Sequence, residues 1–211
     1  EKGIKVLLAE LPERVSGFTC LVKRPEQEEQ IPVIVANGAQ TLERRRFNMA
    51  HELGHRVMDA KGGGEPGIEK LCHRFAGAFL ANREHLLREI GGCRNAFGVQ
   101  EIMDLKRLYR ISAAAFLVRL EQVGAIDRSA MEYAFRTYGK KWRSEEPSPL
   151  EQAANRENSE QPNRFERLVY RAAAEDMISL SKAVELLRLP LADVEKGLNG
   201  PPEAHADHRQ R

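Results

Sequence analysis

The sequence has no uninterrupted apolar run long enough to span a bilayer and no signal peptide. Nothing in it points to secretion or membrane insertion, so the expected compartment is the cytoplasm. Cysteine is scarce. Cys20, Cys72 and Cys93 are an odd number with no CxxC spacing, which fits a reducing compartment and no disulfide framework. A strong excess of one charge is also missing, because the formal net charge is only +2. That charge is unevenly divided: residues 143–211 hold 10 Lys and Arg against 13 Asp and Glu, which leaves an excess of positive charge on residues 1–142. A net-negative C-terminal region is a poor binder of phosphate backbones and suits protein docking better. No methionine precedes Glu1, which reads as a fragment or a processed form. What is present is enough for a packed core: 42% hydrophobic residues over 211 positions, read as one domain with an appendage.

The informative stretch is Thr41 to Ala60, TLERRRFNMAHELGHRVMDA. Leu42, Met49, Ala50, Leu53, Val57 and Met58 recur at helical spacing, and no proline interrupts them. His51 and His55 of the HExxH motif therefore share one helix face, their Cβ atoms about 5–6 Å apart. Each can direct a ring nitrogen at one metal ion. Glu52 lies about 100° further round the helix, badly placed as a third ligand and well placed beside a water. That is the arrangement of zinc hydrolases, with two histidine ligands and a glutamate general base. The plain alternative is a charged, solvated helix face, but the amphipathic context favours the metal reading.

A third protein ligand is needed. After the break at Lys61–Gly67, the segment IEKLCHRFAGAFLA carries an apolar stripe of Ile68, Leu71, Cys72, Phe75, Ala76, Phe79 and Leu80. Glu69 falls on the flank of that stripe, facing the buried side. A carboxylate there is costly unless it is paired or metal-bound. Glu69 is the favoured third ligand; Glu65, Asp59, Cys72 and His73 remain alternatives. Ala50, Gly54, Ala76 and Gly77 are small enough to let the two helices approach closely.

RRRFNMAHELGH followed by EKLCHRFAGAFL resembles the ImmA/IrrE family of metallo-endopeptidases. The matching residues are Arg46-Phe47, Ala50 to His55, and then Glu69, Phe75 and Ala76. The likeness is strong over residues 31–90 and looser to Asp127. Cys72-His73 replace a common Ala-Asn pair, and Asn82 stands where proline often follows. The resemblance implies that Glu69 completes a zinc site. It also implies a narrow substrate, a helix-turn-helix repressor whose cleavage releases stress, mobile-element or toxin–antitoxin genes.

Around this centre the chain reads as a mostly helical α+β protein, a zincin-like peptidase core with a small, mostly antiparallel sheet. Gly3–Leu8, Gly17–Val22 and Ile31–Ala36 read as strands, and Pro32 marks the third as an edge or its start. An edge beside the cleft, at Val33–Ala36, could align an extended substrate. Helices follow: Asn82 to Glu89 stopped by Gly91-Gly92, Val99–Tyr109, Ser112–Val123, and roughly Arg128–Tyr138. His85 reads as a surface residue. The pair around Arg110-Ile111 has a helix-turn-helix outline. Its would-be recognition helix opens on Ala113-Ala114-Ala115, however, and offers base edges little besides Arg119. Direct DNA contact is therefore not expected.

The domain reading is 1–142 peptidase with helical extension, 143–163 polar linker, 164–198 a small helix-turn-helix-like module, and 199–211 a disordered tail. His205 and His208 in the tail read as non-ligands. The expected function is a zinc (Zn2+) endopeptidase with His51, His55 and Glu69 on the metal and Glu52 as base. His73 is the choice for the second oxyanion donor. The competing class is a non-catalytic DNA- or partner-binding regulator.

Overall fold

The computed structural model describes residues 3–23, 25, 29–58, 65–94, 96–151 and 164–199, arranged in two units, 1–161 and 162–211. Its class is α+β. Three runs rich in branched residues form strands β1 (Lys5–Ala9), β2 (Gly17–Lys23) and β3 (Gln30–Asn37). Their order is β1-β3-β2, with β1 parallel and β2 antiparallel to β3. The sheet is therefore mixed, and β3 is its central strand and not an edge. Val33 to Asn37 are buried accordingly. Pro32 is tolerated because pairing with β1 begins one residue later, at Val33. The loop from β1 to β2 must cross the end of β3, and Asn37 pins it there. Its side-chain amide donates to the carbonyls of Leu11 at 3.1 Å and Val15 at 2.9 Å. At Gly17 any side chain would meet the Val35 carbonyl oxygen at 2.7 Å, so only glycine lets β2 lie this close to β3.

Among the described residues of the first unit, the helices are α1 (Leu42–Val57), α2 (Glu65–Leu80), α3 (Arg83–Ile90), α4 (Val99–Tyr109), α5 (Ala113–Gln122) and α6 (Arg128–Arg136). Their bounds follow the sequence signals. Asn82 Oδ1 accepts from the Glu84 and His85 amides at the start of α3, and Gly91 ends it in the left-handed conformation. Ser112 caps α5 through the Ala115 amide, and Asp127 caps α6 through Ala130. His85 is exposed, with its ring on the Tyr109 hydroxyl at 2.7 Å. The main apolar core gathers Leu86, Ile102, Phe116, Leu117 and Leu120. Since α5 buries Ala113, Phe116, Leu117, Arg119 and Leu120, it is a core helix.

The polar stretch from residue 143 has a structural part that its composition hides. Up to Glu151 it is strapped to the first unit by buried charges. Lys106 on α4, fully buried, donates to Glu43 on α1 at 2.9 Å and forms an ion pair with Glu146 at 2.8 Å. The same ammonium donates to the carbonyls of Pro147 and Ser148, both at 2.9 Å. Arg45 on α1 pairs with Glu151 at 2.8 Å, both side chains buried. The helix bearing the HExxH motif is thus clamped near its N-terminus. Residues 152–163 lie outside the described residues, as do the break at 61–64 and the tail from 200 with His205 and His208.

In the second unit, α7 (Arg164–Ala174), α8 (Leu180–Leu187) and α9 (Leu191–Asn199) pack around Val169, Ala183 and Val194. Helix α8 ends at Arg188 in the left-handed conformation, and α9 follows after a short turn. No helix among the described residues is long and apolar enough to cross a membrane.

Candidate metal centre

Helices α1 and α2 pack face to face, and Gly54 sets how closely. A Cβ there would stand 3.3 Å from Cys72 Cα and 3.1 Å from a Phe75 ring carbon. Ala50, Cys72 and Ala76 fill the seam and are buried. Cys72 is thus a packing residue, its thiol pKa pushed up by burial first and then by Glu69 and Glu52. Gly77 does not belong to this seam; it faces α5, near Arg119 and Gln122.

The close approach brings three side chains to one point. His51 Nε2 and His55 Nε2 are 3.1 Å apart, and the Glu69 carboxylate lies 3.1 Å from the first and 3.2 Å from the second. If each ring carried its proton on Nε2 to reach its own Glu69 oxygen, the two N–H groups would face each other across 3.1 Å, whereas one shared cation serves all three contacts. Tetrahedral zinc with bonds of about 2.0–2.2 Å sets its donor atoms roughly 3.3–3.6 Å apart, close to the spacing found. Two imidazoles and a carboxylate are also a donor set that suits zinc. The residues present fit the ion. Glu69 is not on a buried flank, however: its side chain is 48% exposed in an open cleft, held between the histidines and not by the core.

His73 adds a fourth donor. A ring nitrogen of His73 joins His51 and Glu69 in a group whose atoms all lie within 4.8 Å of one another. We rank His55 above it as a ligand, because His55 makes the short contacts to both other donors. The His73 Nδ1 faces its own helix's Glu69 carbonyl at 2.8 Å, so Nδ1 must carry the proton. Neutral His73 then offers Nε2 as an acceptor, and it can donate there only as imidazolium. Its ring also packs against His51 and Phe47, centroids 4.3 and 5.9 Å away. Asp59 and the side chain of Glu65 lie outside the described residues.

Electrostatics at the centre favour metal and base chemistry. Burial is the main cause that lowers the His51 pKa, with His73 next, so His51 tends to stay neutral and ready to ligate. Burial likewise raises the Glu52 pKa; His55 opposes this and Glu69 reinforces it. A raised carboxylate is a better proton acceptor once ionised. Glu52, His55 and Glu69 line a cavity of about 470 Å³ together with Gly17, Phe18 and Thr19. The strand edge beside the centre is therefore β2, and not Val33–Ala36. β2 is an outer strand among the described residues, and its Thr19 amide hydrogen-bonds to Glu52.

A second cavity, of about 450 Å³, adjoins the centre at Phe47 and His73. A further depression, of about 760 Å³ beside Cys93 and Tyr133, is lined by none of these residues.

In comparison with known protein families, the one described as the IrrE N-terminal-like domain, a peptidase family, matches residues 1–121, more than half of the chain. No curated protein matches.

Proposed function

Since the chain belongs to the IrrE N-terminal-like peptidase family, we propose that it is a zinc endopeptidase that cleaves a helix-turn-helix repressor. The observation that carries this is the convergence of His51, His55 and Glu69 at 3.1–3.2 Å beside Glu52, next to the outer strand β2. His51, His55 and Glu69 hold the ion. A bound zinc ion supplies Lewis acidity, lowering the pKa of water and polarising a peptide carbonyl. Glu52 accepts the proton of the attacking water and passes it to the departing amine. His73, whose ring packs against His51, is the candidate second donor to the oxyanion. The outer edge of β2 at Gly17–Thr19 aligns the substrate as an added strand, which fixes its backbone with little demand on sequence. The resemblance to repressor-cleaving peptidases supplies the substrate class, and release of stress, mobile-element or toxin–antitoxin genes follows as the biological outcome. The site of action is the cytoplasm.

Selectivity then requires a second contact, which we assign to the net-negative module 164–198. The tether's effective concentration raises avidity by about 10²–10⁴ without new chemistry at either site. The test compares three preparations: the full chain, the chelated chain, and a chain ending at Gln161. The last keeps Glu146 and Glu151, which a cut at 144 would remove. A helix-turn-helix repressor that is its substrate should be cut into discrete fragments by the full chain and more slowly by the truncated one. A short peptide spanning the cleavage site should be cut equally by both, and nothing should be cut after chelation. An intact repressor in the presence of the zinc-loaded full chain contradicts the function. Equal slowing on peptide and repressor contradicts the docking role.

A further inference from the structure

Arg119 is the buried charge that the mechanism leaves unused. It is 6% exposed, on core helix α5. Its Nε donates to the Ala81 carbonyl at 2.9 Å, and one terminal nitrogen lies 3.5 Å from Gln122 Oε1. Beyond these, the guanidinium has no partner among the described residues, and no described carboxylate pairs with it. The charges that act on it are Arg74 and Arg83, of its own sign, and they add to desolvation in lowering its pKa. A buried cation without a counter-ion, among cations, is unfavourable. A bound anion would offset that cost, and a guanidinium fork matches a carboxylate.

The place where such an anion would sit is defined. Arg119 lines the cavity of about 450 Å³ that adjoins the metal centre at Phe47 and His73. That volume falls within the usual range of ligand sites, about 300–1,000 Å³. Gly77, one helical turn after His73, faces Arg119: a Cβ there would stand 3.5 Å from Arg119 Cδ. The guanidinium stem thus begins about 6 Å along α2 from His73. At about 3.4 Å per residue of extended peptide, this reaches a side chain within about three residues of the scissile bond. Two carboxylates share the lining. Glu146 is committed to Lys106 and the Ala113 amide, and Glu13 is exposed at the surface. Arg44 and Arg143 add positive charge.

We propose that this cavity is a specificity subsite in which Arg119 binds an acidic side chain of the substrate close to the scissile bond. The proposal rests on the peptidase reading for its substrate, and the experiment separates the two. In the first arm, the zinc-loaded full chain digests a peptide mixture randomised about its centre. Asp and Glu should exceed Asn and Gln by more than about tenfold at one position within three residues of the cut, as expected for one charged hydrogen-bonded contact. Arg119→Met should erase that preference while still cutting neutral peptides, and Arg119→Lys should keep part of it. No acidic preference, or the same preference in Arg119→Met, overturns the proposal.

The second arm needs no hydrolysis and no variant. The Arg119 Nε–H resonance of the full chain is followed by NMR as three probes are added: a Gly-Gly-Glu-Gly-Gly peptide, its Gln counterpart, and inorganic phosphate. A shift with the Glu peptide alone supports the subsite, even if the first arm shows no cleavage, which would contradict only the peptidase reading. No shift, or a shift with phosphate alone, overturns it; the latter would mark a phosphate site instead.

Discussion

Glu52→Gln should retain its metal and lose cleavage by about 10²–10⁴, the size of effect typical of lost acid–base catalysis. Glutamine keeps the length and hydrogen-bonding reach of the side chain but cannot take a proton from water. The metal contacts are untouched, because His51, His55 and Glu69 meet one another without Glu52. Folding should also be preserved. The Glu52 carboxylate is disfavoured by burial, so a neutral amide there relieves desolvation and does not add to it. The measurement is the rate on the cognate substrate alongside zinc content. A near wild-type rate with metal bound would remove Glu52 from the mechanism.

Lys106→Met should destabilise the first unit by about 3–5 kcal/mol, the usual cost of removing one partner from a buried ion pair. Glu43 and Glu146 would be left facing each other without their cation, and the Pro147 and Ser148 carbonyls would lose their donor. Denaturant titration of wild type and variant measures the loss. A difference below about 1 kcal/mol would mean that the strap contributes no more than an ordinary surface pair. Glu146→Gln serves as the contrast. One ammonium faces two carboxylates here, and burial raises the Glu146 pKa, with Lys106 and the Ala113 amide opposing. A raised folded pKa means that Glu146 favours the fold most below its ordinary value of 4.5, and that this contribution is lost as pH rises through the raised value. The glutamine variant should therefore lack that part of the pH slope and remain close to wild type in stability near neutrality.

The two predictions concern one helix. Helix α1 carries Glu43 and Arg45 in its first turn and His51 to His55 two turns later. The buried pairs to Lys106 and Glu151 fix the first turn, and the Gly54–Cys72 contact fixes the last against α2. Donor geometry at the centre depends on both. Rigid support from neighbouring elements is what holds such a site in register.

What the sequence discloses here follows from range. The HExxH helix, its phase and the capped helices α3, α5 and α6 depend on residues within a few positions of one another, so spacing alone gives them away. Glu69 lies beside both histidines, but not for the reason its sequence position suggests. Its helical phase towards α1 is right, but the carboxylate is exposed in a cleft and the histidines, not burial, account for it. The sheet order is a longer-range matter. Nothing local to Pro32 says that β1 will cross over to shield β3 on its other side. The strap is the extreme case. Glu146 and Glu151 sit in a stretch whose Ser, Pro and Glu content matches a linker, while the Arg45–Glu151 pair spans 106 positions. Composition carries no trace of such a partner. Arg119 belongs to the same class: the sequence favours packing for its helix but does not say that Arg119 itself is buried, with its Nε on the Ala81 carbonyl.

The central claim is that His51, His55 and Glu69 hold one metal ion, and metal content tests it most directly. The purified full chain, dialysed against a mild chelator, should retain about one zinc per chain, and Glu52→Gln should match it. Glu69→Ala should lose its zinc under the same dialysis, since a missing ligand weakens binding far more than a lost surface charge would. Zinc retained equally in Glu69→Ala and wild type would contradict the assignment of Glu69. Absence of zinc from wild type after reconstitution would contradict the metal centre itself.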